Sequence, residues 1–247
     1  MTLVTLALSW ILAGLAPLAQ AGTSAFPTAA TVTSADGVVL QATWGQPAKA
    51  STNGVVFVHM NGRSKEDWAG VAQTCWEGGA YVLTFDLRGM GGNIPAGTVA
   101  AALTPDDYQK MLGDVRAAVE LLKSKGVTNV ALVGAELGAN LVINVAADDA
   151  SIVDVVLISP GFDYKGIIAT DAIKRYGARP IYMVGAEDDM YGLQSIARFD
   201  ADATGPKQIT VFPSGGKGTK LLIKQPELEG TLVGWVTTHW TATTTAP

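Results

Sequence analysis

The sequence predicts an α/β fold with three layers, built on a doubly wound, mostly parallel sheet. Strand-like and helix-like segments alternate along nearly the whole chain. The strand-like runs, such as 54–60 (GVVFVHM) and 129–135 (NVALVGA), are continuously apolar, as strands covered on both faces must be. The 247 residues are 48% apolar and 16% charged, which supplies a sizeable core and argues against disorder. That length suits one large α/β domain or two small ones, and neither a long linker nor an internal repeat divides it.

The elements follow in order. Residues 1–21 carry no charged side chain and end in Ala19-Gln20-Ala21, an A-x-A pattern, so they read as a signal peptide cleaved after Ala21. The alternative is an uncleaved membrane anchor, against which Pro17 and the short apolar stretch argue. The mature chain is then secreted or periplasmic. Residues 22–28 read as a flexible leader, and 29–240 as the folded domain. Two β-rich runs flank the hairpin signal Asp36-Gly37. Strand 54–60 leads to a helix over 64–79 with Ser64 placed to cap it, then to strand 80–89 and the glycine-rich loop MGGNIPAG. The helix over 104–126 is the clearest: Thr104 caps it, Pro105 takes the first turn, and two Asp follow where the helix dipole favours them. Strand 129–135, helix 137–149, strand 153–161, a short helix near 168–176, strand 179–189, helix 191–202, strand 207–215 and a last helix within 226–240 complete the domain. Residues 241–247 form a polar tail. About 20 residues separate the strands at 155–160 and 180–185, too few for a cap domain.

Composition excludes several function classes. The net charge of −5, with no basic run, points away from nucleic acid. The single Cys75 cannot form an internal disulfide and reads as a buried small hydrophobe on a helix. No metal-ligand cluster stands out. GMGGN follows Asp86-Leu87-Arg88 and opens no helix, so it lacks the context of a nucleotide loop. The six tryptophans fall at amphipathic positions and read as packing. No cofactor is expected.

The stretch ALVGAELGANLV (131–142) runs from an apolar strand through two glycines four apart into an apolar helix. This is the shape of a nucleophile elbow, G-x-S-x-G, which exposes one side chain at a sharp strand-to-helix turn. The exposed position holds Glu136 rather than Ser.

Over about residues 30–240 the chain resembles the α/β-hydrolase superfamily, in the small lidless form of dienelactone-hydrolase-like and esterase-like proteins. VFVHMNG (56–62), FDLRGMGGN (85–93), VGAELGANL (133–141), LISPGFDYKG (157–166), VGAEDDMYG (184–192) and PSGGKGTKLL (213–222) carry the resemblance, in the order and strand context of that superfamily. The resemblance implies triad positions at Glu136, Asp189 and Lys217, so nucleophile and base are both substituted. It implies oxyanion amides at Met60 and Leu137, with His59, Asn61 and Arg63 at the pocket rim.

A carboxylate at the elbow competes for the oxyanion amides and repels a developing oxyanion, which disfavours ordinary ester hydrolysis. Haloalkane dehalogenases and epoxide hydrolases carry Asp there. Glu is one methylene longer, and a Lys held between carboxylates is a poor base for the second step. The two substitutions together read as a charge-balanced bridge, with Lys217 between Glu136 and Asp189. His59 reads as a support for the oxyanion loop; Ser159, Ser214 and His239 are the lesser candidates for displaced chemistry. Asp86 and Arg88 read as loop anchors through ion pairing. The leading expectation is therefore an exported α/β-hydrolase-fold protein with a degenerate triad that holds a small apolar ligand or a partner, without nucleic acid and without membrane attachment after signal cleavage. The alternatives are an active hydrolase of esters, lactones or alkyl electrophiles, and a structural or interaction protein. Ligand and oligomeric state stay open.

Overall fold

The computed structural model describes residues 25–94 and 102–240; the expected signal peptide and polar tail lie outside the described residues. Strand β1 (Ala25–Thr33) and β2 (Val39–Gln46) pair antiparallel around Asp36-Gly37, where Gly37 adopts φ +82°, a backbone state that side chains disfavour. Residues 25–28, expected in the flexible leader, are thus part of β1: ladder pairing to β2 replaces the disorder that their small, polar composition suggested.

Strand β3 (Asn53–Val58) is followed by a 3₁₀ turn (Lys65–Trp68) and α1 (Ala69–Glu77), then β4 (Tyr81–Phe85). Ser64 occupies the cap position but its side chain makes no capping bond; the Lys65 amide instead donates to Asp86 Oδ1 at 2.7 Å. Helix α2 (Pro105–Lys123) has the expected start, with Thr104 and Asp107 bonding each other's backbone amides in a capping box. Strand β5 (Asn129–Ala135) and α3 (Leu137–Asp148) form the elbow unit. Strand β6 (Ile152–Ile158), the small hairpin β7 (Asp163–Tyr164) and β8 (Ile167–Ile168), and α4 (Thr170–Tyr176) come next. Strand β9 (Ile181–Ala186), α5 (Met190–Asp202), β10 (Lys207–Phe212), α6 (Lys220–Lys224) and α7 (Glu227–Trp240) close the described chain.

Eight strands form one sheet in the order β1-β2-β4-β3-β5-β6-β9-β10. The first two pairings, β1 with β2 and β2 with β4, are antiparallel and the remainder are parallel. Helices cover both faces, with α2, α3, α4 and α5 over one core and α1, α6 and α7 over the other. All seven residues of β5 are buried, which explains its unbroken apolar run. Cys75 is buried in the second core, and burial pushes its thiol up to about 12. Among the described residues no helix is long and apolar enough to cross a membrane.

Asp86 and Arg88 do anchor their loop, but to different partners. Asp86 accepts from the Lys65 amide and side chain and from the Gly92 amide, while Arg88 pairs with Asp114 and Asp36. One further polar cluster lies far from that loop. Asp154 of β6 is fully buried, accepts a 2.7 Å bond from Trp235 Nε1, and sits 3.4 Å from His239 Nδ1. Burial pushes the Asp154 carboxyl up to about 6, and the neighbouring carboxylate raises His239. Both folded-state values are raised, so both groups contribute stability at acid pH that is lost as pH rises through about 6 and above. His59 works in the opposite sense, because burial lowers its value and its contribution is lost on acidification. The test is therefore a difference. Melting temperatures of the wild type and of Asp154→Asn taken from pH 4 to pH 8 should show the wild type losing more stability than the variant as pH rises; parallel curves would refute the assignment.

Candidate functional site

The candidate site forms at the C-terminal ends of the parallel strands, where open α/β sheets place their ligands. Loops after β3, β5, β6, β9 and β10 meet there. Glu136 stands between β5 and α3 at φ +52°, ψ −112°, a strained state for a residue with a side chain. The two elbow glycines make the turn sterically feasible. A Cβ on Gly134 would come within 2.3 Å of the Gly138 carbonyl oxygen, and one on Gly138 within 2.3 Å of the Val58 carbonyl oxygen.

Within that turn, Glu136 bends its carboxylate onto nearby backbone amides. Its Oε2 accepts from the Asn61 amide at 2.9 Å and from the Leu137 amide at 3.2 Å. Its Oε1 meets Lys217 Nζ at 2.6 Å. Lys217 Nζ also lies 4.8 Å from the centroid of the Tyr164 ring, a cation–π distance. Tyr164 is buried, and burial together with the Asp189 and Glu136 carboxylates raises its phenol well above the usual range.

A sequence model of the alpha/beta hydrolase family matches residues 55–206. The chain belongs to that family. An esterase of Pyrococcus furiosus shares the fold at a TM-score of 0.69 and 15% identity, over 86% of this chain and 92% of that one. A dienelactone hydrolase of Anabaena variabilis does so at 0.68 and 17% identity, over 86% and 97%. An esterase of Exiguobacterium antarcticum follows at 0.64 and 14% identity, over 85% and 100%. No curated protein sequence matches the chain.

Within this alpha/beta hydrolase, the residues singled out from sequence meet only in part. Glu136 and Lys217 do pair, but no contact joins Lys217 to Asp189, so the expected three-part bridge is absent among the described residues. The reason is length. The long, flexible lysine stem carries Nζ to the elbow carboxylate, 2.6 Å from Glu136 Oε1. Asp189 turns inward and caps α5, accepting from the Gly192 amide at 3.2 Å, and its Oδ2 is buried without a partner among the described residues.

The amide expected from Met60 is supplied by Asn61 instead. His59 explains why: its Nδ1 donates to the Met60 carbonyl at 2.8 Å. That carbonyl and the Asn61 N–H belong to one trans peptide and point in opposite directions. Fixing the carbonyl on one side therefore aims the N–H at Glu136 on the other. His59 Nε2 in turn accepts from the Leu87 amide at 2.9 Å. His59 is fully buried, so it belongs beneath the loop and not at the pocket rim. Burial holds its imidazole below the usual range, in keeping with a neutral ring that donates at one nitrogen and accepts at the other.

Arg63 also leaves the expected rim. It points to solvent and pairs with Asp67 at 2.6 Å, and Asp67 accepts from Thr219 as well. Asn61 does line a cavity of about 330 Å³, together with Gly62, Met90, Ile94, Leu103 and Tyr108. Ser159 is buried and its Oγ accepts from the Gly218 amide at 2.9 Å, which ties down the loop carrying Lys217. His239 lies with Asp154, away from the elbow. Among the described residues no group of His, Cys, Asp and Glu gathers in a way that could hold a metal ion.

Sequence reasoning missed two participants. Asp188 accepts from the amides of Gly215 and Gly216 and so holds the Lys217 loop from the other side. Successive glycine amides beside an acidic loop were the available signal for it. Nothing local marked Tyr164, which reaches Lys217 only through the β7–β8 hairpin.

Two substitutions test this geometry. Gly138→Ala should abolish accumulation of folded protein, because the clash falls on backbone; a soluble variant with the wild-type circular dichroism spectrum would refute the close approach. Lys217→Met should cost only about 1 kcal/mol in urea unfolding, because the lysine side chain is 37% exposed and its pair is solvent-screened. A loss of about 3–5 kcal/mol, as for a fully buried pair, would show that this screening is absent.

Proposed function

We propose that this alpha/beta hydrolase-fold protein does not carry out serine-type acyl transfer and instead retains a small, mostly apolar ligand in the cavity beside Asn61. The observation that carries this reading is the Glu136 carboxylate seated on the Asn61 and Leu137 amides. Acyl transfer needs an activated nucleophile and an unoccupied pair of donors for the oxyanion. Here the elbow side chain itself engages both donors. Bonds to a charged acceptor contribute about 1.5–3 kcal/mol each, and a substrate carbonyl would have to displace them. The other carboxylate oxygen is engaged by Lys217. Asp189 has no contact with Lys217 through which to orient it.

The cavity has the size and lining of a small-ligand site, with Met90, Ile94 and Leu103 as apolar wall and Asn61 and Tyr108 as polar points. We also read the chain as exported, from residues 1–21. A second reading, hydrolysis of an ester or lactone through the carboxylate, draws support from the esterases and the dienelactone hydrolase that share the fold.

Hydrolysis of p-nitrophenyl butyrate by the wild type and by Glu136→Ala separates the two. The proposed reading expects equal, background-level rates, and expects Glu136→Ser with Lys217→His to gain weak turnover. Wild-type turnover that disappears in Glu136→Ala would overturn it in favour of carboxylate chemistry. For the ligand, Tyr108→Trp should report entry of a short-chain alcohol or ester into the cavity as a saturable fluorescence change; no saturable change across such probes would remove the binding assignment.

A further inference from the structure

A second hollow, of about 490 Å³, lies behind the Lys217 loop and takes no part in the proposed function. Its walls come from three places. Asp188 stands at one side, Ser214, Gly215 and Gly216 form the floor, and α6 contributes Lys220, Ile223 and Lys224. The chemistry of this lining is specific. Lys220 and Lys224 are one helical turn apart, which places them on one face. Neither has an ion-pair or hydrogen-bond partner among the described residues. Lys49, Lys125 and Lys174 are also without a partner among the described residues, but none of them lies one helical turn from a second unpaired lysine.

The hollow's one carboxylate does not neutralise the lysines. Asp188 is turned onto the Gly215 and Gly216 amides at 2.9–3.1 Å, and those amides hold its carboxyl below the usual range. Two unpaired cations thus face one carboxylate that is already satisfied by backbone, in a chain whose net charge is −5. Beside the cations stands Ile223, 71% exposed, and Met190, two residues beyond Asp188, is 62% exposed. These are the two most exposed large apolar side chains among the described residues.

We propose that this hollow binds a small amphiphile with an anionic head, the head (a phosphate or carboxylate) lying between the Lys220 and Lys224 ammonium groups and a short alkyl part against Ile223. The cations select the head by charge, and Ile223 adds apolar contact that an inorganic anion cannot use. Because Gly216 forms part of the floor and precedes Lys217, an occupant here touches the loop that carries the elbow's partner. The assignment does not depend on whether the elbow is catalytic.

Calorimetric titration of the full chain at low salt with hexyl phosphate, inorganic phosphate and hexanol tests it. Hexyl phosphate is expected to bind at one site, inorganic phosphate about tenfold or more weakly, and hexanol not measurably. Lys220→Ala with Lys224→Ala, both on an exposed helix face, should weaken hexyl phosphate at least tenfold, with a circular dichroism melt close to wild type. Ile223→Ser should weaken hexyl phosphate while leaving inorganic phosphate unchanged. Equal affinity in the wild type and the double-lysine variant would overturn the proposal, as would hexanol binding as well as hexyl phosphate. Association with vesicles containing phosphatidylglycerol in the absence of any hexyl phosphate binding would also overturn it, since a lipid surface and not the hollow would then be recognised.

Discussion

The close approach of α3 to the ends of β3 and β5 is the constraint on which the rest of the site depends. Gly138 sits against the Val58 carbonyl, and Gly134 against Gly138, at separations that leave no room for a Cβ. Only with these glycines can the chain reverse within one residue, and that residue is forced to φ +52° with its side chain at the sheet's open end. Whatever amino acid stands at 136 must therefore occupy the space beside the Leu137 amide. In this chain a carboxylate occupies it, and the charge determines what the surrounding loops can do.

A carboxylate in that position reverses the usual electrostatics of the site. Backbone donors that could stabilise a transient negative charge instead hold a permanent one. The cation that balances it comes from the loop after β10, and the lysine stem is long enough to bypass Asp189 altogether. Asp189 caps α5 instead, and its second oxygen is buried with no donor among the described residues. The loops stay in register because their anchors are independent of the three triad positions. Ser159 holds Gly218, Asp188 holds Gly215 and Gly216, and Asn140 accepts from the Gly161 amide and donates to the Ile167 carbonyl.

The same separation between frame and chemistry explains His59. A histidine at the end of a central strand invites a catalytic reading, yet its two nitrogens are spent on the Met60 carbonyl and the Leu87 amide. Its effect on the site passes through one peptide plane, by aiming the Asn61 N–H at the elbow. A buried neutral imidazole can do this with one donor and one acceptor, which no aliphatic side chain of similar volume supplies.

The fold, the strand order of its motifs and the identity of the elbow were legible in the sequence, because each rests on local signals. Continuous apolar runs mark strands covered on both faces, Thr104-Pro105 marks a helix start, and glycines at 134 and 138 mark a close backbone approach. The pairing of Glu136 with Lys217 was expected as one half of a bridge through Asp189, from triad positions that the family resemblance implied, and only that half forms. Tertiary structure alone decided which atoms meet. That Asn61 offers its amide depends on the orientation of the Met60–Asn61 peptide, set by a histidine ring that is itself held by Leu87, 28 residues beyond His59. Whether Lys217 reaches Glu136 or Asp189 depends on where its loop is clamped, and those clamps come from Ser159 and Asp188 in the loops after β6 and β9. Rotations of one bond and reach along a flexible stem leave no periodic trace in sequence, and only the packed neighbours determine them.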